Sequence, residues 1–147
     1  MFEKNFHTEG TGSTEGIQQT KFILMEINEL TGIIIEEAIE VHKELGPGLL
    51  ESVYEEALYI CLVERGLKVL RQAPIPVFFR GRELETAFRA DLIVEDRVIV
   101  ELKSKETIPP VDYKKVNNYL KITNLNVALM INFHVELLKN GIKRFIN

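Results

Sequence analysis

Residues Ala87–Lys103 read AFRADLIVEDRVIVELK, and the fold turns on how this stretch pairs with itself. Two runs rich in Val, Ile and Leu, Ala87–Val94 and Val98–Lys103, flank the charged break Glu95-Asp96-Arg97, which is the pattern of a β-hairpin. Apolar residues occupy both faces of the runs, as in central strands covered on both sides. Three polar residues interrupt them: Asp91, Glu101 and Lys103. Side chains alternate at period 2 along a strand, so Glu101 and Lys103 share one face and Val100 and Leu102 the other. With a three-residue turn at Glu95–Arg97, Val94 pairs with Val98 and the register sets Asp91 opposite Glu101.

Such a pairing has an electrostatic consequence. Two carboxylates about 5 Å apart repel by roughly 3 kcal/mol at an effective dielectric of 20, so the pair needs a proton, a cation or displacement into water. A divalent metal meets that need, and carboxylate oxygens with open water positions suit Mg²⁺ or Mn²⁺. Lys103 would then orient or deprotonate a water, or stabilise developing negative charge. A Lys103–Glu101 surface ion pair with Asp91 at a strand end fits the same spacing, and the residues alone leave both readings open.

Outward from the hairpin the period changes. From Glu29 to Leu45, Ile34, Ala38, Val41 and Leu45 step by 4, 3 and 4, the stripe of a core-facing helix that Gly46-Pro47-Gly48 breaks. Leu50, Val53, Tyr54, Ala57, Leu58, Cys61 and Leu62 mark a second helix with Gly66 as its stop, and the two form an antiparallel helical hairpin. Leu67, Val69, Ile75, Val77 and Phe79 then alternate, with Pro74 and Pro76 marking a strand entrance or sheet edge and Arg80-Gly81-Arg82 a turn. Beyond Ile108-Pro109-Pro110, Val111–Thr123 reads as a helix with Tyr113, Val116, Leu120 and Thr123 inward. Asn126–Phe133 and Ile142–Ile146 supply two further strands. The expected architecture is α/β: a mixed central β-sheet flanked by helices, with an N-terminal helical hairpin.

Residues 1–22 mix Gly10, Gly12, Gly16 and Ser13 with threonines and scattered charges at neither period, and are expected to be a flexible leader before one domain over residues 23–147. A start at Met25 or an upstream extension accounts for it. The whole chain has 147 residues, 46% of them apolar and 27% charged, which excludes wholesale disorder and leaves no room for a second full domain. No apolar run reaches the roughly 18–20 residues of a membrane span, so no membrane partner is expected. The single Cys61 cannot form an internal bridge, which points to a reducing, cytoplasmic setting. A net charge of −4 conceals an asymmetry. Residues 1–101 carry 10 Lys/Arg and 19 Asp/Glu, whereas residues 102–147 carry 8 and 3, so nucleic-acid contact should lean on the C-terminal third, where Lys114, Lys115 and Lys121 lie.

Asp91 followed by Glu101-Leu102-Lys103 resembles the D-x(n)-E-x-K signature of the PD-(D/E)XK nuclease superfamily, with Arg89-Ala90 before it. Gly48-Leu49-Leu50-Glu51-Ser52-Val53-Tyr54 is the G-x-x-E-x-x-Y motif of the GxxExxY protein family, and Val41–Gly48, Arg89–Leu92, Asn118-Tyr119-Leu120 and Ile131-Asn132-Phe133 also look like that family. The resemblance spans roughly Glu29 to Ile146. It implies a restriction-endonuclease-like core with Asp91 and Glu101 as catalytic metal ligands and Lys103 as catalytic lysine. It also implies a Mg²⁺- or Mn²⁺-dependent nuclease acting on nucleic acid, DNA in preference to RNA.

Further residues carry two readings each. Related nucleases use a helical acid near the metal, which would make Glu51 a third ligand, but an N-terminal-turn glutamate favoured by the helix dipole fits equally. Lys115 stands where superfamily members often carry Gln or Lys, and with Lys114 is a candidate phosphate contact or a solvated helix lysine. Tyr54 lies on an apolar stripe, where core packing with a bonded hydroxyl competes with substrate contact. The rival function is a catalytically inactive nucleic-acid-binding or protein-interaction module on the same fold, and a homodimer is left open.

Overall fold

In the computed structural model, which describes residues 25–147, the pattern that begins at Met25 becomes helix α1, Ile27–Leu45. The expected leader lies outside the described residues. Leu30, Ile34, Ala38 and Val41 form the buried stripe of α1, while Leu45, its last residue, stays exposed. Helix α2, Glu51–Glu64, buries Tyr54, Leu58 and Leu62 at four-residue spacing, a narrower stripe than the sequence suggests, with Leu50 and Val53 exposed. It ends in a Schellman arrangement: Gly66 at φ 83° lets its own N–H reach Val63 O and the Leu67 N–H reach Leu62 O.

After α2 the chain forms β1 (Val69–Ile75), the short β2 (Phe78–Phe79) and β3 (Arg82–Glu83), then β4 (Phe88–Val94) and β5 (Val98–Lys103). Helix α3 (Pro110–Thr123), β6 (Val127–Asn132), a 3-10 turn at Leu138–Gly141 and β7 (Ile142–Ile146) complete it. Five strands make one sheet in the order β1-β4-β5-β6-β7, and β2 and β3 make a separate two-stranded ribbon. All pairings in the main sheet are antiparallel except β5–β6, which is parallel and therefore needs a crossover; α3 supplies it. Pro74 sits in β1 at the sheet edge, where a missing N–H costs no interior ladder bond.

The sheet is covered on both faces. The α1–α2 hairpin packs over Leu92, Val94, Val98, Val100 and Leu102, and α3 packs over Ala90, Ile93, Ile99, Ala128 and Met130. β6 is buried along its whole length, as a parallel-paired central strand must be. Helix α3 buries Val116, Tyr119, Leu120 and Thr123. Tyr119 takes the fully buried place and Tyr113 is only half-buried, because 116, 119, 120 and 123 form the tighter stripe. His42, buried near the end of α1, donates from Nε2 to Val135 O at 2.7 Å and so ties the hairpin to the loop after β6. No helix among the described residues is long and apolar enough to cross a membrane.

Candidate active site

The β4–β5 ladder runs through Val94↔Val98, Ile93↔Ile99 and Leu92↔Val100 and then stops. The next rung would join Asp91 to Glu101. Instead the Asp91 N–H donates to Glu101 Oε1 at 3.1 Å, and the Leu102 N–H donates to Asp91 Oδ2 at 2.8 Å. Each carboxylate takes an amide that a backbone carbonyl would otherwise accept from, so the strands part at this point and both acids occupy the gap.

Strict alternation holds in β5: Val98, Val100 and Leu102 face the helical hairpin, while Ile99, Glu101 and Lys103 fall on the α3 side. It fails in β4. Ala90 and Ile93 both belong to the layer beneath α3, three residues apart, so the strand changes face at Asp91. A matching change occurs in β1, where Leu70 and Ala73 share that layer and Gln72 between them has φ 48°. The ladder skips the Gln72–Asp91 rung and keeps its register on either side, from Arg71↔Leu92 to Ala73↔Ala90, so this is a local backbone distortion with no inserted residue, and it re-aims both side chains. Gln72 Nε2 donates to Asp91 Oδ1 at 3.3 Å and to Glu55 Oε1 on α2, and Arg71 pairs with the same Glu55 carboxylate at 3.2 Å.

Burial dominates the electrostatics. Desolvation, then the neighbouring Asp91 charge, push the Glu101 carboxyl up to about 8, against the opposing Asp91 amide and the more distant Lys103 and Lys115 charges. Asp91 is also raised, by burial first; the Leu102 amide opposes this, and the Glu55 and Glu51 charges add to it. Lys103 Nζ stands 3.5 Å from Asp112 Oδ2 in the first turn of α3, and Lys105 reaches the same oxygen at 3.3 Å. Burial would raise the Asp112 carboxyl, but the Lys103 charge and the Lys105 contact lower it on balance. Tyr119 is pushed well above the usual phenol range by burial and then by the Glu101 and Asp91 charges, and its hydroxyl donates to Arg89 O at 3.4 Å.

A family model of the PD-(D/E)XK nuclease superfamily matches residues 28–145. The chain belongs to this superfamily. Its mixed five-stranded sheet between helices is the restriction-endonuclease-like α/β core, here with a helical hairpin at its N-terminal end. Members of the superfamily are typically nucleases and usually employ divalent metal ions. No curated protein and no solved structure matches the chain.

Asp91, Glu101 and Lys103, the acid, acid and lysine expected from the sequence, lie at the end of the β4–β5 pairing, the two acids where the strands part and Lys103 two residues beyond. Among the described residues no group of three His, Cys, Asp or Glu side chains is arranged to hold a metal ion. The Asp91–Glu101 pair nonetheless fits a hard divalent cation in its chemistry: all its donors are oxygen, and burial leaves the two charges mutually unfavourable until a cation neutralises them. Glu51 opens α2, half-buried, and acts on Asp91 only as a more distant charge. Lys115 is exposed on α3 with its Nζ 5.7 Å from the Tyr119 ring centre, and Lys114 is exposed beside it. Tyr54 is brought elsewhere: fully buried, it stacks on Phe133 at 4.2 Å, donates to Gly46 O and accepts from the Leu49 N–H. The sequence reading did not single out Glu55, Gln72, Asp112 or Tyr119 for the site. Glu55 was findable, because it lies four residues after Glu51 on the same helical face.

Proposed function

We propose that the chain is a metal-dependent nuclease hydrolysing phosphodiester bonds, with DNA as the favoured substrate over RNA. The observation that carries this reading is the pair of amide-to-carboxylate bonds, Asp91 N–H to Glu101 Oε1 and Leu102 N–H to Asp91 Oδ2, that hold both acids in the gap between β4 and β5. Burying two carboxylates together costs the fold free energy and adds nothing to its packing, so their retention is best explained by chemistry. Asp91 and Glu101 would hold one Mg²⁺ or Mn²⁺ ion, with Glu51 as a further, outer ligand. When bound, the ion supplies Lewis acidity toward a phosphate oxygen and makes water a better nucleophile.

The chain's own residues do the rest. The Leu102 and Asp91 amides fix the two carboxylates so that neither rotates away. Lys103, held by Asp112, stands on the same strand face as Glu101 to orient the attacking water or balance charge developing on phosphorus. Tyr119, buried between α3 and the sheet, holds the β4 backbone beside Asp91 through its bond to Arg89 O. Lys115 and Lys114 would contact backbone phosphates from α3 without sequence preference. The motif Gly48, Glu51, Tyr54 supports placing the chain in the narrower GxxExxY family, and the lone Cys61 supports a reducing, cytoplasmic setting.

The decisive assay is Mn²⁺-supplemented cleavage of single-stranded, double-stranded and branched DNA and of RNA, with Glu101→Ala as the contamination control. Lys103→Ala should keep the fold and lower cleavage by at least about 10²-fold. Equal cleavage by the wild type and both variants would overturn the nuclease reading in favour of a binding module.

A further inference from the structure

Between Ile75 and Phe88, the last rung of the β1–β4 pairing, the chain leaves the sheet and returns through the β2–β3 ribbon. This arm carries Phe78 and Phe79 at 57% and 60% exposure, so neither side chain is there to build a core. A two-stranded ribbon is marginal in water, and because successive strand residues point to opposite faces, Phe78 and Phe79 give each face of this one an exposed aromatic ring. Arginine lies beside Phe79, whereas Glu83 is the rung partner of Phe78. The Arg80 guanidinium lies 5.1 Å from the Phe79 ring centre, Arg82 is the rung partner of Phe79, and Arg89 follows at the start of β4.

The turn itself departs from what stability alone would select. Arg80 and Gly81 have φ of 51° and 75°, the left-handed pair that a two-residue hairpin turn needs. Asn, Asp or Gly is the usual first residue of such a turn, yet here an arginine occupies the strained position and projects its charge beside an aromatic face. The arm is also continuous with the candidate site. Phe88 at its base lies 5.5 Å from Tyr119, whose hydroxyl bonds Arg89 O, and Asp91 is only three residues further along β4, about 10 Å of strand.

We infer that the Phe78–Arg82 arm binds unpaired bases of a nucleic acid, stacking a base on Phe79, with Phe78 offering a second ring on the other face, while Arg80 and Arg82 take the flanking phosphates. The inference rests on the nuclease reading and names its substrate class: a single strand, or the unpaired part of a branched molecule, delivered to Asp91 and Glu101. Aromatic faces interleaved with arginine are the chemistry of sequence-tolerant single-strand binding, since every base presents a π-face and every linkage a phosphate. Glu83 and Glu85 offset part of the arginine charge, which leaves the Phe79 side, with Arg80 over the ring and Arg82 on the same rung, as the cationic one. Duplex ends, whose bases are already stacked and paired, gain little from the arm.

The test separates binding from cleavage. Fluorescence anisotropy with labelled single-stranded and blunt double-stranded oligodeoxynucleotides of equal length is measured with the full chain, its Phe79→Ala variant, the Phe78→Ala/Phe79→Ala pair and Arg80→Ala. Cleavage is scored independently on the same substrates. Loss of the two phenylalanines should weaken single-strand binding about 10- to 100-fold and leave duplex binding within twofold. Arg80→Ala should weaken binding less and reduce the steepness of its salt dependence by about one phosphate contact. Thermal melting of each variant should match the wild type, since these side chains are exposed. Unchanged single-strand affinity in the double-phenylalanine variant would overturn the inference while leaving the nuclease reading untouched. Dissociation of a wild-type dimer by the same substitutions would overturn it in favour of self-association. Absence of cleavage with arm-dependent single-strand binding would overturn the nuclease reading alone.

Discussion

With divalent ions chelated, the protein should lose stability as pH rises from about 4.5 to about 8, because Glu101 holds its proton in the fold to about 8 and sheds it near 4.5 when unfolded. Between those values the native state binds more protons, so raising the pH favours unfolding. Below 4.5 the penalty is absent, and above about 8 it is complete. Glu101→Gln should melt higher than the wild type at pH 8 and show a much flatter slope across this window, as read by thermal melts in EDTA. The proposed ion acts on the same term. At tenfold over its dissociation constant, Mn²⁺ should raise the melting temperature of the wild type by about 3–5 °C at pH 7.5, and Asp91→Asn should remove most of that rise. An unchanged rise in the variant would place the ion elsewhere.

The helical hairpin and the loop that joins it set the next scale. Tyr54 locks that loop by bonding Gly46 O and the Leu49 N–H from inside the core. Tyr54→Phe should therefore destabilise the fold by about 1–2 kcal/mol in urea melts while leaving cleavage per folded molecule unchanged. A selective loss of turnover would return Tyr54 to the site. The elements themselves were legible in the sequence wherever one period governs a segment: the 3 and 4 spacing of α1, the apolar runs of β4 and β5, the proline-marked start of α3. The Val94–Val98 register followed from the three-residue turn alone. The face change at Asp91 was not legible, because it depends on the left-handed backbone of Gln72, 19 residues away on the paired strand. Glu55 was within reach of the sequence as the helical neighbour of Glu51, but its contact with Gln72 exists only in the packed sheet. Tyr119 was displaced in the reading by Tyr113, three residues on either side of Val116, and burial decides between them.

For the whole molecule, both helical layers close over the sheet within residues 25–147, and Arg97 Nη1 bonds the Met25 carbonyl at the very start of that span. Deleting residues 1–22 should leave the melting temperature within about 2 °C of the full chain; a larger fall would show that the core extends into that segment. The order in which the parts meet matters as well. Asp91 and Glu101 are ten residues apart on adjacent strands of one hairpin, whereas the β5–β6 pairing must await a crossover through α3. Local pairings of low sequence separation form early, so like charges are forced together before most of the apolar surface is in place. The cost of the site is then felt as a slow search as well as a shallow minimum. Refolding from urea should quicken in Mg²⁺ and slow in EDTA, with Glu101→Gln folding fast in both. Were the ion to change only the unfolding limb, the two acids would meet after the rate-limiting step.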